Sequence, residues 1–186
     1  MAALRLLGIS GSLRRDSFNT ALLRAASTLV PDGVTLEVRT LHGIPLYDGD
    51  VEAQGIPSEV SALREAIRAA DGIVLATPEY NNSLPGVCKN AVDWVSRGAG
   101  QPFAGKPLVL LSASPGGMGG ARAQLAWLPV FATLGARSMH SPQFYLSAAN
   151  RAFAADGSLS DERSREQVRK LLTAFAAWCR STPAAG

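Results

Sequence analysis

The side chains best suited to chemistry in this chain fall in three short stretches. The first, Gly8-Ile9-Ser10-Gly11-Ser12-Leu13-Arg14-Arg15-Asp16-Ser17-Phe18-Asn19, gathers hydroxyls at Ser10, Ser12 and Ser17, an amide at Asn19 and a guanidinium at Arg14. It stands just ahead of a helical pattern. Backbone N–H groups at a helix start, joined by hydroxyl donors and one arginine, make an anion site suited to a phosphate monoester. The plainer alternative is that Ser17 only caps the helix and Arg14 is only solvated. The second, Thr77-Pro78-Glu79-Tyr80-Asn81-Asn82-Ser83-Leu84-Pro85-Gly86, is stiffened by two prolines, and Asn81-Asn82 readily adopts positive φ. Such a loop can present N–H and C=O groups edge-on to a flat heterocycle, with Tyr80 as an aromatic wall; a rigid turn is the plainer alternative. Glu79 could act as a general base, but no His or second carboxylate stands near it in sequence, so a binding or subunit-contact role suits it better. The third, residues 112–120, holds four glycines that allow close backbone approach to a ligand or merely make a flexible linker.

Other chemistries find less support. The first stretch lacks the Gly-Lys-Ser/Thr of a Walker A loop and the GxGxxG dinucleotide fingerprint, and no acidic residue near Thr40 is placed to hold an adenosine ribose. No Gly-x-Ser-x-Gly elbow is present. His42 and His140 have no ligand spacing to a carboxylate or cysteine, so no metal site is expected. Trp94, Trp127 and Trp178 lie on helical patterns and read as core or interface. Arg97 and Arg122 are surface cations that could meet a second phosphate.

The elements that must position these stretches alternate. Strand patterns are expected at residues 4–10, 34–38, 73–76, 108–111 and, less clearly, 136–145. Helical patterns cover 19–29, 58–71 with Ser58 as N-cap, 87–95, 121–134 with a kink at Pro129, and about 160–181, while 42–57 reads as loop. Five strands alternating with helices imply one α/β domain over residues 1–186, a doubly wound three-layer sandwich around a parallel sheet. Five strands in an open sheet favour the flavodoxin-like order 2-1-3-4-5. In that order, ligands bind beyond the carboxyl ends of the strands where strand order reverses, so the loops after strands one, three and four should meet.

The 186 residues allow a core large enough to do without disulfides, and Cys88 and Cys179 fit no metal or redox spacing. Both read as buried thiols of a reducing, cytoplasmic compartment. Eighteen Lys and Arg against 15 Asp and Glu leave a scattered net charge of +3, which gives little support to nucleic-acid or membrane partners. The opening apolar run is cut by Arg5 and is too short for a signal peptide or a span.

The segments GSLRRDSFN (11–19), PEYNNSLPG (78–86), KNAVDWVSR (89–97) and SPGGMGGAR (114–122) together resemble the NADPH-dependent FMN reductase family, which includes flavodoxin-like quinone, chromate and azo-dye reductases. The resemblance runs from residue 4 to about 146. It implies non-covalent FMN, with Ser12, Arg14, Ser17, Phe18 and Asn19 at its phosphate. Pro78, Glu79, Tyr80 and Asn81 would line the isoalloxazine edge, and Ser114 and Gly117 would close the other side. It further implies NADPH or NADH as hydride donor, ping-pong transfer to a small acceptor, no catalytic side chain, and a homodimer or homotetramer contacting through the 87–97 helix with Trp94. Asn82 departs from the family, where glycine is common. The competing readings are a flavodoxin-type carrier that does not itself oxidise NAD(P)H, which the positive charge disfavours, and a non-catalytic FMN-binding regulator. No residue cluster reads as a 2′-phosphate site that would separate NADPH from NADH.

Overall fold

The computed structural model describes residues 3–98 and 100–181. Six strands, β1 (Leu4–Ser10), β2 (Val34–Arg39), β3 (Gly72–Ala76), β4 (Pro107–Ala113), β5 (Arg137–Ser138) and β6 (Phe144–Leu146), form one sheet. Its order is β2-β1-β3-β4-β5, every pairing is parallel, and β6 continues the outer position on β4. This is the expected flavodoxin-like arrangement, with helices on both faces.

The layers follow from the two-residue period of the strands. Leu6, Val74, Ala76, Val109 and Leu111 face one side, where Leu22, Leu23 and Ala26 of α1 (Phe18–Ser27) and Val168, Leu172 and Phe175 of α6 (Glu162–Ser181) cover them. The alternate residues Leu7, Ile9, Ile73, Leu75, Leu108 and Leu110 face the other side. There they meet Val60, Leu63 and Ile67 of α3 (Ser58–Ala69), Trp94 and Val95 of α4 (Gly86–Val95), and Trp127 and Phe131 of α5 (Ala121–Thr133). Each fully buried aliphatic or Phe side chain is worth roughly 1.5–3 kcal/mol relative to exposure. The double cover is why β3, apolar at every position, has no wet face.

Three local expectations are corrected. The 42–57 segment is not all loop: Gly49–Gln54 forms a short helix, α2, whose N-terminal Asp48 accepts a hydrogen bond from Asp50 N–H at 2.8 Å. No residue of α2 is buried, so a cap and acidic first-turn residues define it, and an apolar stripe could not have shown it. Ser58 is not the cap of α3. Pro57 holds that position in extended backbone, and the Ser58 hydroxyl donates instead to Glu59. The fifth strand is two pieces, β5 and β6, with residues 139–143 between them. Helix α6 starts as its acidic residues suggested, with Asp161 Oδ2 accepting from Ser164 N–H at 2.8 Å.

Candidate functional site

Strand order reverses between β1 and β3, and the loops after β1, β3 and β4 come together there. Sheet-like bonding runs one residue past the strands: Gly11 N–H donates to Ala76 C=O at 2.8 Å, and Thr77 N–H donates to Leu111 C=O at 2.9 Å. The loops therefore leave the sheet in register.

The first loop ends at Ser17, which caps α1 by accepting from Thr20 N–H at 3.3 Å. Ser12, nearly fully buried, likewise accepts from Arg14 N–H at 3.3 Å. Both hydroxyls act as acceptors inside the chain and so keep an O–H to donate. Among the described residues, the N–H groups of Ser12, Leu13, Arg15, Asp16, Ser17, Phe18 and Asn19 have no acceptor in the chain. Two spare hydroxyl donors above a run of unpaired amides at a helix start have the donor set that a phosphate monoester requires. The Arg14 guanidinium donates to Asp16 C=O at 2.7 Å and lies 5.6 Å from the Phe18 ring centre, on the exposed side of the loop. Phe18 stacks on Phe153 at 5.6 Å. Asn19 also braces the loop. Its side chain forms a two-way pair with Ala113 at the end of β4, donating to C=O and accepting from N–H, each at 2.9 Å. It ties the first loop to the third.

In the second loop Pro78 is buried, Glu79 half-buried and Tyr80 and Asn81 exposed. Tyr80 and Ser83 exchange backbone bonds of 3.1 and 3.0 Å across Asn81 (φ 50°) and Asn82 (φ 62°). Two successive left-handed residues make the tight hairpin turn that Asn tolerates, so the Asn at 82 fits without a glycine. The Glu79 carboxylate is engaged within the chain. Its Oε2 accepts from Arg122 N–H at 2.9 Å and Ala123 N–H at 3.3 Å, capping α5, whose own N-cap is Gly120 with no side chain to offer. Arg122 in turn donates to Asn82 Oδ1.

The third loop is shorter than expected, because β4 runs on through Ser112 and Ala113. Ser114 is half-buried, and its Oγ accepts from Gly116 N–H at 3.1 Å. Gly117 has open space around it. Gly119 (φ 58°) and Gly120 (φ 89°) are packed glycines: a Cβ at Gly120 would lie 2.6 Å from Ser112 Cβ, and one at Gly119 would lie 2.8 Å from the Tyr145 backbone.

Several supporting residues carried no sequence signal. Thr77 accepts from Trp127 Nε1–H at 2.9 Å and donates to Pro78 C=O at 3.0 Å. Gln124 donates to Ser112 Oγ at 2.7 Å, and His42 Nε2 lies 3.1 Å from Leu13 C=O. Cys88 sits beneath the loops, and burial pushes its thiol up to about 12. Arg97 lies over the Tyr47 ring at 4.6 Å. Trp94, expected at a subunit contact, is fully buried in its own chain, donating to Pro45 C=O at 2.9 Å.

A family model described as NADPH-dependent FMN reductase matches residues 4–151. An NAD(P)H-dependent FMN reductase of Pseudomonas aeruginosa is 47 % identical over 177 residues, 95 % of this chain and 96 % of that protein. A quinone reductase of Escherichia coli is 41 % identical, covering 92 % of this chain and 93 % of its own. FerB, a flavoenzyme NAD(P)H:acceptor oxidoreductase from Paracoccus denitrificans, superimposes with a TM-score of 0.86 at 34 % identity, covering 97 % of this chain and 99 % of its own. With its donor-rich first loop facing two cross-braced neighbours at the switch point of the sheet, the chain belongs to the NADPH-dependent FMN reductase family.

Proposed function

We propose that this protein is an FMN-dependent NAD(P)H oxidoreductase that reduces small quinones by a ping-pong sequence. The observation that carries the reading is the set of unpaired amides and spare hydroxyl donors at the start of α1, placed where the sheet order reverses. Ser12, Arg14 and Ser17, with the amides up to Phe18 and Asn19, would hold the FMN phosphate; Asn19 also fixes the loop to β4. Pro78, Glu79, Tyr80 and Asn81 would edge the isoalloxazine on one side, and Ser114 and Gly117 on the other. Bound there, FMN supplies the centre that accepts hydride from NAD(P)H and gives electrons to the acceptor. The chain's own groups hold and orient, and none is asked to move a proton. Donor and acceptor use one face in turn, which is the basis for ping-pong kinetics. The named quinone reductases among the relatives, including a 2-hydroxy-1,4-benzoquinone reductase of Burkholderia at 37 % identity, favour a quinone over chromate, azo dyes or free flavin as the acceptor.

The protein works as a homodimer or homotetramer. Support comes from the large apolar side chains exposed near the loops, Leu46, Tyr80 and Met118. No helix among the described residues is long and apolar enough to cross a membrane. The two buried, unbridged cysteines favour the reducing cytoplasm.

The test is a visible spectrum of the FMN-loaded protein before and after anaerobic addition of NADPH. Bleaching of the flavin band, followed by its return on adding a benzoquinone, is the expected result. A flavin band that NADPH leaves unchanged would show a carrier, and failure to take up FMN would defeat the phosphate assignment.

A further inference from the structure

The segment after β2 sends one side chain, His42, to the middle of the first loop. The ends of that loop are fixed elsewhere: Gly11 N–H is bonded to Ala76 C=O, Ser17 caps α1, and Asn19 is paired with Ala113. Between them, among the described residues, a single hydrogen bond reaches residues 12–16 from elsewhere in the chain. It joins His42 Nε2 to Leu13 C=O at 3.1 Å.

The sheet order explains the meeting. β2 lies beside β1 in parallel, with Arg39 opposite Ile9, so the chain leaving β2 runs alongside the chain leaving β1. Leu41, 1 % exposed, anchors this segment, and Gly43 (φ 84°) turns it away, which leaves the exposed His42 beside the loop. A carbonyl oxygen only accepts, so Nε2 carries the ring proton. Nδ1 is then the acceptor of the neutral ring, and the Thr40 hydroxyl, 3.0 Å away, donates to it. Both ring nitrogens are committed, and the ring is held in one orientation.

The bond matters through the geometry of one peptide. A trans peptide directs its C=O and its N–H to opposite sides. The N–H of the Leu13–Arg14 peptide points at Ser12 Oγ, 3.3 Å away, a hydroxyl of the proposed phosphate site. Its C=O therefore points away from that hydroxyl, and His42 holds it there. Turned over, the same peptide would set a carbonyl oxygen, with its partial negative charge, beside Ser12 in place of an N–H. An anion site built from amides is weakened by that exchange. We propose that His42 is a positioning residue for the FMN phosphate: by donating to Leu13 C=O it keeps this peptide in the orientation that leaves the Ser12 hydroxyl and the loop amides to the phosphate. The proposal rests on the reductase reading above. His42 acts through the loop backbone, and its partner lies 29 positions away, so neither a motif nor a ligand spacing reveals it.

The experiment strips flavin from the protein and titrates back FMN, or riboflavin, which lacks the phosphate, following flavin fluorescence. The wild-type protein should bind FMN more tightly than riboflavin. His42→Phe keeps a flat ring without a donor; losing one hydrogen bond should lower FMN affinity roughly three- to tenfold and leave riboflavin affinity unchanged. His42→Gln, whose amide N–H can still reach the carbonyl, should recover most of that loss. An FMN-to-riboflavin affinity ratio in His42→Phe equal to that of the wild type overturns the proposal, because a general weakening of the fold moves both ligands alike. Binding by His42→Gln as weak as by His42→Phe overturns it as well. A wild-type protein that takes FMN no more tightly than riboflavin is a separate failure, which defeats the phosphate assignment itself and the role of His42 with it.

Discussion

Glu79 occupies the point where two loops depend on one carboxylate. It replaces the missing cap of α5 and so holds the Pro78–Tyr80 backbone against the start of that helix. Glu79→Ala should cost about 0.5–2 kcal/mol, the usual range for a lost helix cap, read as a lower urea midpoint. It should also weaken FMN binding measured by fluorescence, because the loop it holds is the proposed flavin edge. Glu79→Gln keeps one acceptor oxygen and should recover part of both. The phosphate loop is tested by Ser12→Ala with Arg14→Ala, which removes a hydroxyl donor and a charge; flavin retention on gel filtration should be lost while the far-ultraviolet spectrum stays native. Much of this chemistry was readable in sequence as residue type: the Ser17 cap and the paired left-handed turn at Asn81-Asn82 follow from local preference. What Glu79 and Asn19 do was not readable. Their partners, Arg122 and Ala113, are distant in the chain, and a carboxylate or amide carries no mark of the backbone group it will meet.

The connection from β4 to α5 shows the same limit for whole elements. Its four glycines look alike in sequence, yet Gly117 faces open space, a Cβ at Gly116 would only touch Ser114 Oγ at 3.5 Å, and Gly119 and Gly120 are packed against Tyr145 and Ser112. Gly120→Ala meets both a positive φ and a 2.6 Å collision, so it should destabilise by about 1–3 kcal/mol or more. Gly117→Ala, in open space, should leave the thermal midpoint nearly unchanged, and comparing the two variants by calorimetric melting separates packing from flexibility. Strand and helix order was legible because apolar periodicity reports it directly. The exceptions had no such signal: α2 buries nothing, and the outer strand is too short for a period to develop.

Taken whole, the molecule is two apolar layers closed over a sheet, with one thiol in each: Cys179 packs with α6 and Cys88 with α4. Burial pushes both thiols up to about 12, from a usual 9.0. A thiol whose pKa is raised by folding favours the folded state fully at pH below its unfolded value. That contribution is lost as pH climbs from about 9 towards 12, because only the unfolded chain can then release the proton. Unfolding by urea should therefore show stability falling over that alkaline window, and Cys88→Ala should flatten the fall. Near pH 8 both thiols should resist a disulfide reagent until the chain is unfolded. The break in the outer strand has one more consequence. An open sheet offers its unpaired edges to any other extended chain, and long flat edges invite aggregation. Here one edge carries the Glu37–Arg39 ion pair, and the other is cut into pieces of two and three residues. Neither edge gives a second sheet a long ladder to extend, so the sheets of neighbouring molecules are kept from fusing edge to edge into fibres.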